Sequence, residues 1–197
     1  MRYEGGGKRL FDLLGAAALL VLLAPLLALA GLAVLLVLGR PVLFRQGRSG
    51  RHGQPFTLLK LRSMAAGPGA DAARLGRFGR LLRASAVDEL PQLLNVLRGE
   101  MSLVGPRPLP PEYLPLFSPA QAARLRVRPG LAGLAQAAGR NTLPWGPRLA
   151  LDAAYAERQT LAGDLRLLAR CGALALRGHG AAAPGHATMP AFRGEAD

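Results

Sequence analysis

The hydrophobic pattern of the chain changes abruptly after its first forty residues. From residue 13 to residue 38 no side chain is charged or strongly polar. A helix of that length measures roughly 39 Å, against about 30 Å for the hydrocarbon core of a bilayer. Beyond this run, apolar residues come in short stretches and helical spacings, which is typical of a folded domain outside the membrane. The pattern predicts a membrane anchor over residues 1–40 and a second domain over residues 41–177.

The residues that flank the apolar run indicate how it enters the membrane. Both flanks are basic: Arg2, Lys8 and Arg9 precede the run, and Arg40, Arg45, Arg48 and Arg51 follow it. Basic flanks favour the cytoplasmic side, and Pro25 in the middle of the run favours a bend. A cleaved signal peptide is an alternative that the length of the run argues against, and an ordinary single span is another. We expect a re-entrant hairpin bent at Pro25.

Residues 41–177 carry signals for a small, mainly helical α/β domain. Residues 41–44 and 56–59 predict a hairpin around a Gly- and Arg-rich turn. Helices are predicted over residues 74–83 and 118–125, from Asp88 onward with Pro91 in the first turn, and as one or two amphipathic helices over residues 147–175. Residues 178–197 are rich in Gly, Ala and Pro and predict a disordered tail.

Composition narrows the class of partner. The chain has 25 Lys and Arg against 12 Asp and Glu, a formal charge of +13. Such an excess favours an anionic partner, which can be nucleic acid, anionic lipid or a phosphorylated small molecule. The single Cys171 excludes an intramolecular disulfide and fits a reducing compartment.

The stretch SAVDELPQLLNVLRGEMSLVGPRP contains the candidate chemistry. It places Asp88 and Glu89 side by side, ahead of a helical apolar pattern and of Arg107 in a Gly- and Pro-rich turn. In one interpretation Asp88 caps a helix and Glu89 is an ordinary first-turn acid. In the other, the pair is catalytic. These residues by themselves favour the cap.

The order of the motifs changes that balance. Six pieces of the chain follow one another in the order known from one protein family. They are KRLFD, PVLFRQGRSGRHGQPF, TLLKLRSM, GRFGRLLRASAVDELPQLLNVLRGEMSLVGPRP, RPGLAGLAQAAGRN, and the region of Asp152, Tyr155 and Asp164. From Lys8 to about Leu168 the chain resembles the bacterial sugar transferase family, the monotopic polyprenyl-phosphate phosphoglycosyl transferases. A string of this length in the right order is far more specific than a lone short motif, and it favours catalysis.

The resemblance implies an activity. Members transfer a sugar 1-phosphate from a UDP-sugar to undecaprenyl phosphate, release UMP, and require Mg²⁺. By the same resemblance Asp88 is the nucleophile that forms a covalent aspartyl phosphosugar. Glu89 is the second acid, which helps to bind the metal or tunes the nucleophile, so both acids are candidate Mg²⁺ ligands.

The resemblance also implies substrate-binding residues. Arg83 and Arg107 match positions near the substrate phosphates, which suits the planar, bidentate guanidinium group. Lys60 and Arg62 are further candidates, since they lie at a predicted strand end beside a loop. The last two candidates, for the donor pocket, are Arg140 and Asn141.

The expected setting is the cytoplasmic face of the bacterial inner membrane. The expected partners are a UDP-sugar, undecaprenyl phosphate, anionic membrane lipid and, downstream, other glycosyltransferases; nucleic acid is not expected. One departure from the family is Ala24 before Pro25, where a serine is common and its hydroxyl helps to bend a membrane helix. The competing interpretations are a basic lipid-binding protein without activity and an inactive family member.

Overall fold

The computed structural model describes Tyr3, residues 6–177 and residues 189–194. The helices are α1 (Gly7–Leu38), α2 (Asp71–Arg74), α3 (Arg77–Ala84), α4 (Gln92–Arg98), α5 (Pro119–Ala122), α6 (Leu134–Gly139), α7 (Trp145–Glu157) and α8 (Leu161–Leu176). The strands are β1 (Leu43–Ser49), β2 (Pro55–Leu61), β3 (Ser102–Val104) and β4 (Gly130–Ala132). The domain is mostly helical, as predicted, and it contains two small sheets, of which only the β1–β2 hairpin was expected.

Helix α1 is the one helix in the described part of the chain that is long and apolar enough to cross a membrane. It remains helical through Pro25. Its two halves both contact the rest of the protein: Ala16 and Val34 are fully buried. Between them the side chains of Val21 and Leu22 are 79% and 73% exposed. The apolar helix is therefore anchored near both ends and leaves its middle uncovered.

The predicted hairpin is present and longer than expected. Strands β1 and β2 are antiparallel from the pair Leu43 and Leu61 to the pair Ser49 and Pro55. Most of the supposed turn is therefore strand, because the ladder is made by backbone groups and tolerates the Gly and Arg side chains of β1. His52, with φ of 57°, lies in the short reversal that remains.

The main core joins elements that are distant in sequence. Leu58 from β2, Leu93 from α4, Leu103 from β3 and Ala16 from α1 belong to one buried cluster. Strand β3 pairs in parallel with β4, a pairing that the sequence pattern does not reveal because each strand has only three residues. Where β3 and β4 meet, a Cβ on Gly130 would collide with the backbone of Val104 and Gly105 at the end of β3, so glycine is required at residue 130.

Several helix boundaries differ from the predictions. The helix expected over residues 74–83 is split into α2 and α3, because Gly76 is extended with ψ of 178°. The helix expected from Asp88 begins instead at Gln92. The helix predicted over residues 118–125 is present as α5 and a following 3-10 turn, and the last amphipathic segment forms two helices, α7 and α8. Of the predicted disordered tail, residues 178–188 and 195–197 lie outside the described residues; within residues 189–194, Phe192 is packed and only 4% exposed.

Candidate active site

The candidate site is a cavity of about 670 Å³ between β2, the turn before α4 and the loop after β3. Its lining carries seven Lys or Arg side chains against three acidic ones. Of the predicted site residues, the structure places in this lining Lys60, Arg62, Arg83, Asp88, Glu89, Arg107 and Asn141. An excess of cations in a concave site suits a ligand with several negative charges.

Asp88 lies in a short 3-10 turn, Val87–Glu89, and not at a helix N-cap. The turn follows Ala86, which has the left-handed φ of 57° and interrupts the helical path. Asp88 is 5% exposed, and within the described part of the chain its carboxylate accepts no hydrogen bond. The capping interpretation is therefore wrong. Burial, and then the neighbouring charge of Glu89, raise the pKa of Asp88 to about 6.

Glu89, unlike Asp88, is surrounded by groups that stabilise its negative charge. Its Oε1 accepts hydrogen bonds from Lys60 Nζ at 2.7 Å and Arg107 Nη2 at 2.6 Å. Arg107 Nη1 reaches Oε2 at 3.3 Å, which completes a two-pronged contact. Although burial opposes ionisation, the charges of Arg107 and Lys60 hold the pKa of Glu89 well below its usual range. Glu89 is therefore a fixed carboxylate that positions two cations beside Asp88.

The remaining predicted residues have different surroundings. Arg83 Nε donates to Ser63 Oγ at 2.8 Å, which directs this guanidinium along the cavity wall. Arg62 donates to the carbonyl oxygens of Leu38 and Gly39, so it caps the C-terminal end of α1. That cap gives Arg62 a structural task besides any contact with substrate. Asn141 lines the cavity, whereas the side chain of Arg140 lies outside the described part.

Three cavity arginines were not predicted from the sequence: Arg74, and the pair Arg48 and Arg148. Arg48 donates from Nη1 to the carbonyl of Pro108 at 3.2 Å, and Arg148 donates from Nη2 to Asn141 Oδ1 at 3.2 Å. Burial lowers the pKa of each to about 10, which leaves both charged at neutral pH. Arg48 was assigned to a turn, and Arg148 falls in a segment predicted only as amphipathic helix, so the residue types alone did not place either side chain in the cavity.

The donor set limits how a metal ion could bind. Among the described residues there is no group of three or more His, Cys, Asp or Glu side chains suited to a metal. Mg²⁺ commonly takes one or two carboxylates and completes its shell with substrate phosphate oxygens and water. In the described part of the chain, Asp88 has free oxygens for a metal of this shared kind, whereas Glu89 could reach it only through Oε2, whose contact with Arg107 is long at 3.3 Å, so the substrate would have to supply further ligands.

Comparison with known proteins identifies the family of the chain. The family model described as "Bacterial sugar transferase" matches residues 3–178. The chain is 42% identical over 196 residues to the uncharacterized sugar transferase EpsL of Bacillus subtilis, covering 96% of this chain and 97% of that protein. It is 47% identical over 179 residues to the UDP-glucose:undecaprenyl-phosphate glucose-1-phosphate transferase of Caulobacter vibrioides, covering 83% and 67% respectively.

A more distant relative has a different sugar in its name. The undecaprenyl-phosphate galactose phosphotransferase of Salmonella typhimurium is 34% identical over 197 residues, covering 88% of this chain and 41% of that protein. The extent of the family match and the level of identity are sufficient for assignment. The chain belongs to the bacterial sugar transferase family, which confirms the resemblance inferred from its motifs.

Proposed function

We propose that this protein is a phosphoglycosyl transferase that moves a sugar 1-phosphate from a UDP-sugar to undecaprenyl phosphate and releases UMP. Relatives named as undecaprenyl-phosphate glucose and galactose phosphotransferases support the general reaction. The observation that carries the proposal is Asp88, a buried carboxylate without a hydrogen-bond donor among the described residues, in a cavity rich in cations. An unpaired carboxylate is available as a nucleophile.

In the first step, an Asp88 oxygen attacks the phosphorus that bears the sugar. The bond from this phosphorus to UMP breaks as the new oxygen–phosphorus bond forms, and UMP leaves with the electron pair. Lys60 and Arg107 lie within hydrogen-bond distance of Glu89, next to the nucleophile, so their charges are in place to stabilise phosphate oxygens. Asp88 must be ionised for this step.

In the second step, an oxygen of undecaprenyl phosphate attacks the same phosphorus. The bond to Asp88 breaks, which returns the carboxylate and yields a polyprenyl diphosphate sugar. The two polyanionic substrates thus use one cationic site in turn and never need to occupy it together. This scheme gives ping-pong kinetics.

Mg²⁺ is part of the proposal. Held by Asp88 and Glu89 with the donor's phosphate oxygens, it would offset phosphate charge during the transfer. Chelation with EDTA should stop UMP release, and added Mg²⁺ should restore it.

We also propose that α1 is a re-entrant anchor, which its contacts with the domain support, and we place the domain at the cytoplasmic membrane face because both flanks of α1 are basic. In a straight helix, Ala16 and Val34 lie about 27 Å apart. Both nevertheless pack on the same small domain, in buried clusters that also contain residues of β2. A helix bent near Pro25, with both ends on one domain and an exposed apolar middle, accounts for this. A tag attached at residue 1 that is found in the periplasm would contradict the re-entrant anchor.

The experiment that tests the reaction is UMP release by the detergent-solubilised protein. The assay contains undecaprenyl phosphate, Mg²⁺ and one UDP-sugar from a panel, with Asp88→Asn alongside. Release with at least one donor, lost in the variant, is expected. Activity retained by Asp88→Asn would exclude the proposed covalent route, and absence of release with every donor would favour a lipid-binding protein or inactive homologue.

A further inference from the structure

The segment at residues 189–194, with the sequence MPAFRG, lies against the cavity although the family match ends at residue 178. We call this segment the C-terminal strap. Its Phe192 is 4% exposed and packs in a cluster with Leu109, Trp145 and Leu149. The indole Nε1 of Trp145 donates a hydrogen bond to the carbonyl of Pro190 at 3.1 Å. A buried ring and a hydrogen bond therefore hold the strap in place.

The ring contacts show how closely the strap fits. The ring of Phe192 lies 5.4 Å from that of Trp145, 5.8 Å from Tyr113 and 5.9 Å from Phe117. These separations fall in the favourable range for edge-on and tilted aromatic pairs. Phe192 is thus a central member of an aromatic cluster, and its removal would release the strap and loosen the rings behind it.

The strap also contributes to the lining of the cavity. Met189 borders the cavity together with Tyr113 and Trp145. Arg148 lies over the ring of Trp145 at 5.1 Å and donates to Asn141 Oδ1. This end of the cavity therefore combines apolar, polarisable surfaces with an amide and a guanidinium group. That combination suits a flat ring with polar edges, such as a nucleobase.

The position of the membrane anchor decides which substrate takes this end. Pro41, Phe44 and Arg62 also line the cavity, and Arg62 caps the C-terminal end of α1. A lipid-linked acceptor must reach Asp88 from the membrane, and so from the part of the cavity that adjoins α1. The strap packs in a different buried cluster from the C-terminal half of α1, so the part of the cavity that it walls is left for the water-soluble donor.

We infer that the C-terminal strap forms a wall of the nucleoside subsite and that Met189 packs on the uracil ring of the donor. The inference rests on the proposed function, since it assumes a uridine nucleotide as substrate. It adds a binding element beyond the part of the chain that the family match covers. Release of the strap weakens binding of UDP-sugar and of UMP and leaves binding of undecaprenyl phosphate unchanged.

A direct test uses the fluorescence of Trp145, the only tryptophan of the chain. UMP is titrated into the detergent-solubilised full-length protein and into three variants: Phe192→Ala, Met189→Ala and a chain that ends at Thr188. Ala154→Ser, at an exposed position of α7 outside the strap, is the matched control. The Kd for UMP should rise about tenfold without the strap or Phe192 and about threefold without Met189. The control should stay within about twofold of the parent.

Kinetics separate a binding wall from a merely structural element. The KM for the UDP-sugar and the inhibition constant of UMP should rise together, with the KM for undecaprenyl phosphate unchanged. The inference is overturned if UMP leaves the fluorescence of the parent unchanged or if all three variants bind UMP like the parent. It is also overturned if they alter sugar preference alone, which would place the strap on the sugar.

The two proposals can fail separately. A parent protein that binds UMP but releases none from any UDP-sugar would contradict the proposed reaction. In that protein, weaker UMP binding by the strap variants would still support the nucleoside subsite. Thermal unfolding of each variant is recorded, and Met189→Ala, which leaves the anchoring ring in place, remains informative if Phe192→Ala does not fold.

Discussion

Among the buried carboxylates and cations that the structure describes, two clusters have similar residue types but different geometry. In the first, the carboxylate of Asp164 is fully buried and both of its oxygens accept hydrogen bonds. Lys8 Nζ reaches Oδ2 at 2.7 Å, and the hydroxyl groups of Tyr3 and Tyr155 reach Oδ2 and Oδ1 at 2.5 and 2.8 Å. This cluster fastens α1 to α7 and α8.

In the second cluster only one of two acids is satisfied. Glu89 holds Lys60 and Arg107, whereas Asp88 has no donor within the described residues and borders the cavity. A fully paired cluster can stabilise a fold, but it has no group left for a reaction. A buried carboxylate that borders a cavity without a hydrogen-bond donor is therefore a candidate nucleophile, whereas a fully paired one is a structural ion pair.

The largest expected effect comes from removing the unpaired acid. Asp88→Asn should lower UMP release by about a thousandfold or more, because the amide is a poor nucleophile. Since the raised pKa shows that the folded state disfavours ionised Asp88, the free energy of unfolding near pH 7.5 should stay equal or rise. UMP release is measured by single turnover and stability by thermal unfolding. If Asp88→Asn lowered stability and retained activity, Asp88 would be a structural acid like Asp164.

In the cluster around Asp164, a substitution should lower stability and leave donor binding unchanged. Asp164→Asn leaves the buried Lys8 without its nearest charged partner, so we expect a loss of about 3 kcal/mol in stability. For a chain of this size that lowers the unfolding midpoint by roughly 6–12 °C. Glu157→Gln, at an exposed site on α7, is the control. The KM for the donor should stay within about twofold in the folded fraction, and a selective rise in that KM would contradict a purely structural role.

The geometry of the cation beside Glu89 allows a finer test. Arg107→Lys retains the charge but loses the two-pronged contact, so kcat/KM for the donor should fall about 10- to 50-fold. Arg170→Lys on the exposed face of α8 is the matched substitution. Equal activity of both variants would show that a point charge is sufficient at residue 107. The measurement is donor-dependent UMP release at several UDP-sugar concentrations.

The smallest and most specific effect concerns pH. Asp88 must be ionised, so kcat/KM for the donor should fall as the pH drops through about 6, the raised pKa of Asp88. Glu89→Gln removes a neighbouring negative charge that raises this pKa and releases Lys60 and Arg107 to attract Asp88. The midpoint should therefore move to lower pH. UMP release without acceptor phosphate gives this profile, and an unchanged midpoint in Glu89→Gln would show that Glu89 does not tune Asp88.

Sequence reasoning reached most of the site because the candidate residues lie in recognisable motifs. Asp88, Glu89 and Arg107 were named from one stretch, and the structure brings them together with Lys60, which is distant in sequence. The cap formed by Arg62 was not foreseen, since a guanidinium that reaches carbonyl groups looks the same in sequence as one that awaits a phosphate. Arg48 and Arg148 were missed for the same reason.

The sequence by itself determined the long apolar helix, the basic charge, the hairpin and the family, since these depend on composition, local periodicity and the order of motifs. Only the tertiary structure decided that Asp88 is unpaired and Glu89 is clamped, because adjacent carboxylates acquire different environments through side chains that are far away in sequence. It also decided that Phe192 packs beside Trp145 and that Met189 borders the cavity. These features depend on packing between residues that are distant in sequence, which leaves no periodic pattern in the sequence.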